Sequence, residues 1–335
     1  MRVLVTGGAG YVGSHATRHL LEHGYQVLVL DNLVQGHAAA VPASVLVRGD
    51  LADEEFVFDL LRTHRIEAVV HFAAYCYVGE SVRHPDRYYD NNVVNSLKLL
   101  QAMHRAGVGR IVFSSSCATY GVPERIPITE DQPQRPINPY GRAKLVVEWM
   151  LDDYARAYGI GYAALRYFNA AGASARGDLG EDHHPETHLI PLVLQTALGQ
   201  RPFVEIYGCD YPTPDGTCIR DYVHVEDLAE AHRLALEAVQ PGQALCLNLG
   251  SEAGSSVRQV IRMCEEVAGQ KIPVREGPRR PGDPPVLVAS AAKARQVLGW
   301  EPRYRDLRQI IETAWRWHRL HPLGYADRAS TSGAI

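Results

Sequence analysis

Four glycines crowd into seven residues close behind the first apolar run of this chain. The run is Val3–Thr6, and Thr6-Gly7-Gly8-Ala9-Gly10-Tyr11-Val12-Gly13 follows it directly into a helix-like segment. Glycine lets a backbone turn tightly there and approach an anion held at the helix N-terminus. Gly8, Gly10 and Gly13 satisfy GxGxxG, and Gly7, Gly10 and Gly13 satisfy GxxGxxG. The strand–loop–helix context separates a dinucleotide fingerprint from a glycine-rich turn without a ligand.

Such a loop predicts a parallel α/β sheet, and the rest of the chain carries the matching rhythm. Short β-branched runs recur at Gln26–Leu30, Val45–Val47, Ala68–Phe72, Ile111–Ser114, Tyr162–Arg166 and Leu245–Leu249. Segments with apolar residues three and four apart lie between them, at Asp86–Ala106, Gly141–Ala157 and Val225–Val239. Parallel strands need long crossovers, so the alternation predicts a Rossmann-type, doubly wound parallel sheet. The rhythm loosens after about residue 170, where Gly172–Pro185, Tyr207–Gly216 and Glu276–Pro285 read as loops of a smaller C-terminal α/β lobe. The expected division is 1–170, with about 220–250 returning to that unit, then 171–325, then a polar tail at 326–335. Arg305–His318 reads as the last helix.

With a net charge of -4, the chain has no basic surplus to draw nucleic acid or an anionic membrane. A phosphate-bearing ligand must be held by a few placed groups. The six cysteines form no CxxC pair and predict free thiols in a reducing cytoplasm. The N-terminus reads as a strand rather than a signal peptide, no run is long enough to span a bilayer, and no metal site is expected.

Asp31 ends the second strand, 18 residues beyond Gly13. A carboxylate there accepts hydrogen bonds from ribose hydroxyls and repels a 2′-phosphate, which favours NAD over NADP. Asp50, after the third strand, suits either an adenine contact or a solvated turn. Tyr140 and Lys144 are four apart at the start of an amphipathic helix and share one face. An ammonium there lowers the tyrosine pKa and makes an acid/base near neutral pH. The pair gains weight beside Ser114-Ser115-Ser116 at the end of the fifth strand, because ligands in such sheets sit beyond strand C-termini.

In combination these features resemble the extended short-chain dehydrogenase/reductases, and among them the UDP-glucose 4-epimerases. The resemblance runs from Met1 to about Tyr325, through VTGGAGYVGSH, LDNL, VVHFAA, YYDNNV, FSSS, NPYGRAK, LRYFNAAGA, DYPTPDGTCIRDYVHV and NLGS. It implies a catalytic set of Tyr140 as acid/base, Lys144 on the nicotinamide ribose, and Ser116. It implies NAD contacts from Gly7, Gly10, Tyr11, Val12, Gly13, Asp31, Asn32, Asp50 and Leu51, and further along from Phe72, Ala73, Asn91, Ser114 and Tyr167. On the UDP-sugar side it implies Asn169, Arg220 and Arg280 at the pyrophosphate, Tyr207 near the uracil, Asp283 on the uridine ribose and Leu189 in the nucleotide pocket. Without the family, the aromatic at 207 reads as core and either arginine as an ordinary surface residue.

Three positions depart from the family pattern. Cys76 stands where some relatives have a lysine that reaches the cofactor, and Cys117 where alanine is common. His188 replaces an asparagine that touches the nucleotide, and suits either that contact or a plain helix start. The related 4,6-dehydratases carry an Asp-Glu pair after the serine, whereas this chain has Cys117-Ala118, so elimination lacks its acid. The family gate for N-acetylated sugars aligns with Leu287, smaller than the restrictive tyrosine. The resemblance therefore implies NAD-dependent interconversion of UDP-galactose and UDP-glucose, extending to the N-acetylhexosamines, by a homodimer joined through the helices around 86–106 and 141–157. The alternatives are epimerisation of a UDP-pentose or UDP-uronate, and a non-catalytic NAD-binding sensor.

Overall fold

The computed structural model describes residues 1–280 and 283–326. Six strands lead the chain: β1 (Arg2–Thr6), β2 (Gln26–Asp31), β3 (Leu46–Arg48), β4 (Ala68–His71), β5 (Arg110–Ser116) and β6 (Gly161–Tyr167). Eight more follow: β7 (Asn169–Ala171), β8 (Val204–Tyr207), β9 (Ile219–Arg220), β10 (Tyr222–His224), β11 (Ala244–Leu249), β12 (Ser255–Ser256), β13 (Val274–Gly277) and β14 (Val286–Leu287). The main sheet runs in the order β11-β6-β5-β4-β1-β2-β3, and each neighbouring pair in it is parallel. The order reverses between β1 and β4, which opens a crevice beyond the strand C-termini.

The helices are α1 (Tyr11–Glu22), α2 (Glu54–Thr63), α3 (Val78–Arg83), α4 (Pro85–Tyr88), α5 (Asn95–Ala106), α6 (Pro139–Tyr158), α7 (Leu189–Ala197), α8 (Val225–Ala238), α9 (Val257–Ala268), α10 (Ala292–Leu298) and α11 (Leu307–Leu320). Alternation along β1 shows why both faces of the sheet are covered. Val3 and Val5 point to one side, where they pack with Leu20 of α1 and Leu228 of α8. Leu4 points to the other and joins Leu61, Leu99, Met103 and Leu151 of α2, α5 and α6. Each such side chain, fully enclosed, contributes about 1.5–3 kcal/mol through removal from water.

The helix expected over Asp86–Ala106 is broken. A wide π-type turn at Tyr89–Val94 separates α4 from α5. Asn92 faces inward from this turn, and its side chain pairs with both the N–H and the C=O of Tyr75. The wide turn thus pins the loop after β4, which borders the crevice. In the C-terminal part, α7, α9 and α11 enclose a separate core around Val193, Leu194, Val260, Ile261 and Ile311. Small strands tie it together: β8 with β13, β7 with β10, and β9 between β12 and β14. The expected tail lies, beyond Ala326, outside the described residues.

Candidate active site

A cavity of about 1120 Å³ runs along the C-terminal ends of the sheet strands and under the C-terminal part of the chain. At one end the glycine loop forms its floor. Gly7 has φ +69, and a Cβ there would meet Ala73 N at 2.5 Å and the Phe72 carbonyl carbon at 2.9 Å. A Cβ on Gly13 would meet Gly7 O at 2.2 Å. These obstacles are backbone, so only glycine permits the packing. Gly10 caps α1 without a side-chain hydrogen bond. The first N–H groups of α1, from Tyr11 and Val12 onward, stand at the cavity, a cradle suited to a diphosphate.

Asp31 is buried at the end of β2, where Oδ2 accepts from Ala9 N at 2.9 Å and Oδ1 from Leu33 N at 2.8 Å. Burial pushes its carboxyl up, against the pull of those two N–H groups. The carboxylate therefore braces the glycine loop while Asp31 lines the cavity. Asn32 donates to Asp50 at 2.9 Å, and both line the cavity beside Leu51. Phe72 and Ala73 both donate their backbone N–H to Thr6 O. Asn91, also at the cavity, donates to Asn92 at 2.9 Å.

The middle of the cavity holds the tyrosine and the lysine. Pro139 and the Asn138 cap, which accepts from Gly141 N, start α6 and aim its first turn at the end of β5. Lys144 is buried, donates to Ser114 O at 2.7 Å and sits 5.9 Å from the centre of the Tyr140 ring. Burial brings Lys144 down from its ordinary 10.5 to about 8. Burial also pushes Tyr140 well above its ordinary range, with a hydrogen bond to Ser116 pulling the other way. The expected lowering of the tyrosine by the lysine is thus outweighed here: desolvation of the phenolate dominates. Tyr167 shares a hydrogen bond of 2.5 Å with Ser114, and burial raises it to about 12.

A family model described as NAD dependent epimerase/dehydratase matches residues 3–250. The chain belongs to that family. It is 53% identical over 327 residues to a UDP-glucose 4-epimerase of Halalkalibacterium halodurans, covering 97% of this chain and 98% of that one. The crystal structure of UDP-glucose 4-epimerase from Brucella ovis in complex with NAD superposes with a TM-score of 0.90 at 50% identity, covering 94% and 97% of the two chains. The Bifidobacterium longum enzyme in complex with NAD+ and UDP gives a TM-score of 0.92 at 38% identity, covering 97% and 100%.

The far end of the cavity carries the remaining family positions. Asn169 on β7 donates to Asp221 O at 2.9 Å. Arg220 on β9 is ion-paired with Asp283 and donates to Ile219 O at 2.9 Å, so two expected ligand contacts hold each other. The Arg280 guanidinium lies over the Tyr207 ring, 4.0 Å from its centre. Tyr207 is exposed, not core, and lines the cavity. Leu287 on β14 lies beside Arg220, and Leu189 begins α7; both line the cavity. His188 precedes α7 without capping it; its ring turns instead to Glu181 and Glu186, at 2.9 Å from each. Glu181, His183 and Glu186 of this group went unread in the sequence, although the spacing His183-x-x-Glu186-x-His188 was visible. Cys76 and Cys117, the other departures, line the cavity as well.

Proposed function

We propose that this protein interconverts UDP-galactose and UDP-glucose with bound NAD. One observation carries the reading: Ser116, Tyr140 and Lys144 stand in a single cavity between the glycine cradle and the Arg220–Arg280 end. That arrangement suits a dinucleotide and a sugar nucleotide laid nose to nose. Bound NAD supplies the reversible two-electron acceptor that oxidation at sugar carbon 4 requires.

The residues of the chain do the rest. Tyr140 takes the proton of the 4′-hydroxyl and returns it from the other side of the cycle, with Ser116 aligning that hydroxyl. Lys144 holds the nicotinamide ribose, and the positive charge that the cofactor brings offsets the burial that raises Tyr140. Arg220, Arg280 and Asn169 hold the pyrophosphate, Tyr207 the uracil, Asp283 the uridine ribose, and Leu189 and His188 the nucleotide wall. The UDP is gripped while the hexose turns as a 4-keto sugar and presents its opposite face. The Gly7–Gly13 loop with Tyr11, Val12, Asp31, Asn32, Asp50, Leu51, Phe72, Ala73, Asn91 and Tyr167 holds the cofactor. Residues 1–170, with 220–250, form the cofactor unit and 171–325 the sugar-nucleotide lobe. Leu287 leaves space for an acetamido group, so the N-acetylhexosamines are substrates too.

The protein works as a cytoplasmic homodimer. No helix among the described residues is long and apolar enough to cross a membrane, and none of the six cysteines is paired. Trp149 and Tyr158 on α6 are exposed at 60% and 53%, and Val94, just before α5, at 43%. These outward apolar side chains on adjoining helices suit a second copy of the chain.

The test is conversion of UDP-galactose by purified protein without added NAD, beside Tyr140→Phe. Wild type should form UDP-glucose, and the variant should lose at least about 100-fold in kcat, the usual contribution of a positioned acid/base. An inactive wild type, even with NAD supplied, would reject the assignment and bring forward the pentose, uronate and sensor readings.

A further inference from the structure

Four metal-ligating side chains meet on the wall of the cavity, in the loop between β7 and α7. Glu181, His183, Glu186 and His188 each offer a ligand atom, and all four atoms lie within 4.8 Å of one another. The two carboxylates are almost wholly enclosed, with 6% and 4% of their side chains exposed. Both imidazoles present the same atom to them. His188 Nδ1 lies 2.9 Å from each glutamate, and His183 Nδ1 lies 3.1 Å from Glu181 and 3.7 Å from Glu186.

His183 is the informative member. Its Nδ1 is sealed from solvent and makes no directed hydrogen bond, close as the carboxylates are. The rings of Tyr11 and Tyr77 close over it edge-on, at 6.2 and 6.0 Å between centres, and the His188 ring stands 5.0 Å away. An enclosed nitrogen aimed at two enclosed carboxylates without a bond suits a lone pair directed at a cation. Two carboxylates brought together out of water also need two positive charges. One divalent ion supplies both.

We propose that Glu181, His183, Glu186 and His188 bind one divalent transition-metal ion. Two borderline imidazole nitrogens with two harder carboxylate oxygens form a mixed set that Zn2+ accepts, with Co2+ as its spectroscopic substitute. Four protein ligands fill a tetrahedral shell, which leaves no open position for chemistry and makes the ion structural. The supports are already in place. The backbone N–H groups of Thr187 and His188 donate to Glu186, and Trp317 Nε1 donates to Glu181 O at 3.1 Å. These bonds orient the ligands as supporting hydrogen bonds do in metal sites. The ion would cross-link the loop before α7 to itself, against the rings of Tyr11 and Tyr77, and so fix the place from which His188 and Leu189 face the sugar nucleotide.

The experiment uses the purified full chain with its dinucleotide retained, stripped with a chelator and dialysed against Zn2+. Bound zinc is measured by atomic emission, and Co2+ loading by the visible spectrum. One zinc per chain and intense visible cobalt bands, characteristic of tetrahedral coordination, are expected. His183→Ala should weaken zinc binding by more than about 100-fold, beyond what losing a supporting hydrogen bond costs. Glu186→Gln serves as a second variant should His183→Ala fold poorly, judged by circular dichroism. His23→Ala, in the more open group His19, His23 and Glu230, controls for surface binding and should leave the stoichiometry unchanged. No retained zinc in wild type, or equal retention in wild type, His183→Ala and Glu186→Gln, would overturn the site and leave two imidazolium–carboxylate ion pairs in its place.

Discussion

Lys144 shows how one residue answers to two demands. In the proposed reaction its Nζ reaches the dinucleotide, yet it is enclosed at 3% exposure with Ser114 O as its hydrogen-bond partner. Burial lowers it to about 8, below the unfolded value near 10.5. The sign follows from proton binding: between those values the unfolded chain holds a proton that the folded one has shed, so stability rises with pH. In the cofactor-free protein the stability gap between wild type and Lys144→Met should move toward wild type above about pH 8, by on the order of 3 kcal/mol in all. Urea unfolding between pH 7 and 10 measures it, and a flat difference would mean that the buried ammonium is not destabilised. Leu287 makes a second prediction at this scale. Its side chain lines the cavity beside Arg220. Leu287→Tyr should lower kcat/KM for UDP-N-acetylglucosamine by about 10-fold or more relative to UDP-glucose, the scale on which pocket volume discriminates. Equal losses on both sugars would remove Leu287 from the gate. Residues of this kind were legible in the sequence because their chemistry is local: Tyr140 and Lys144 share a helix face whatever surrounds it. Their pKa values were not, because desolvation depends on what the rest of the chain encloses.

Helix α6 joins the Tyr140–Lys144 face to the sheet. One turn beyond Lys144, Glu148 takes a two-pronged contact from Arg166 of β6 and a hydrogen bond from Ser115 of β5. Both charges are buried, each with 5% of its side chain exposed. Arg166 also donates to Tyr120, which donates to Asn248 at the end of β11. One network thus links α6 to three neighbouring strands and sets where Tyr140 stands. Glu148→Gln would leave the guanidinium buried without its charge partner and should destabilise the protein by about 3–5 kcal/mol. Denaturant unfolding tests it, and a change under 1 kcal/mol would show that water or another side chain compensates. At this scale the strands were readable, since β-branched runs and two-residue alternation are written locally. The break between α4 and α5 was not. Apolar spacing runs on through Tyr89–Val94, while the wide turn is held by Asn92 reaching Tyr75, a partner 17 residues earlier.

Across the whole molecule, residues as far apart in sequence as Gly7 and Leu287 meet in one cavity. If α5 and α6 form the contact between copies, Trp149→Glu should give monomers by light scattering at concentrations where wild type is dimeric. An unchanged mass would place the contact elsewhere. The local syntax of glycine loop, strand rhythm and Tyr–Lys spacing determined the parallel α/β architecture and the glycine-loop end of the cavity, because each signal acts within a few residues of backbone. Only the tertiary structure decided that Arg220 is held by Asp283, that Tyr207 is exposed beneath Arg280, and that desolvation governs Tyr140. It alone decided that Glu181, His183, Glu186 and His188 converge. Burial, ion pairing and donor convergence depend on distances between segments far apart in the chain, and those distances exist only once the core has closed.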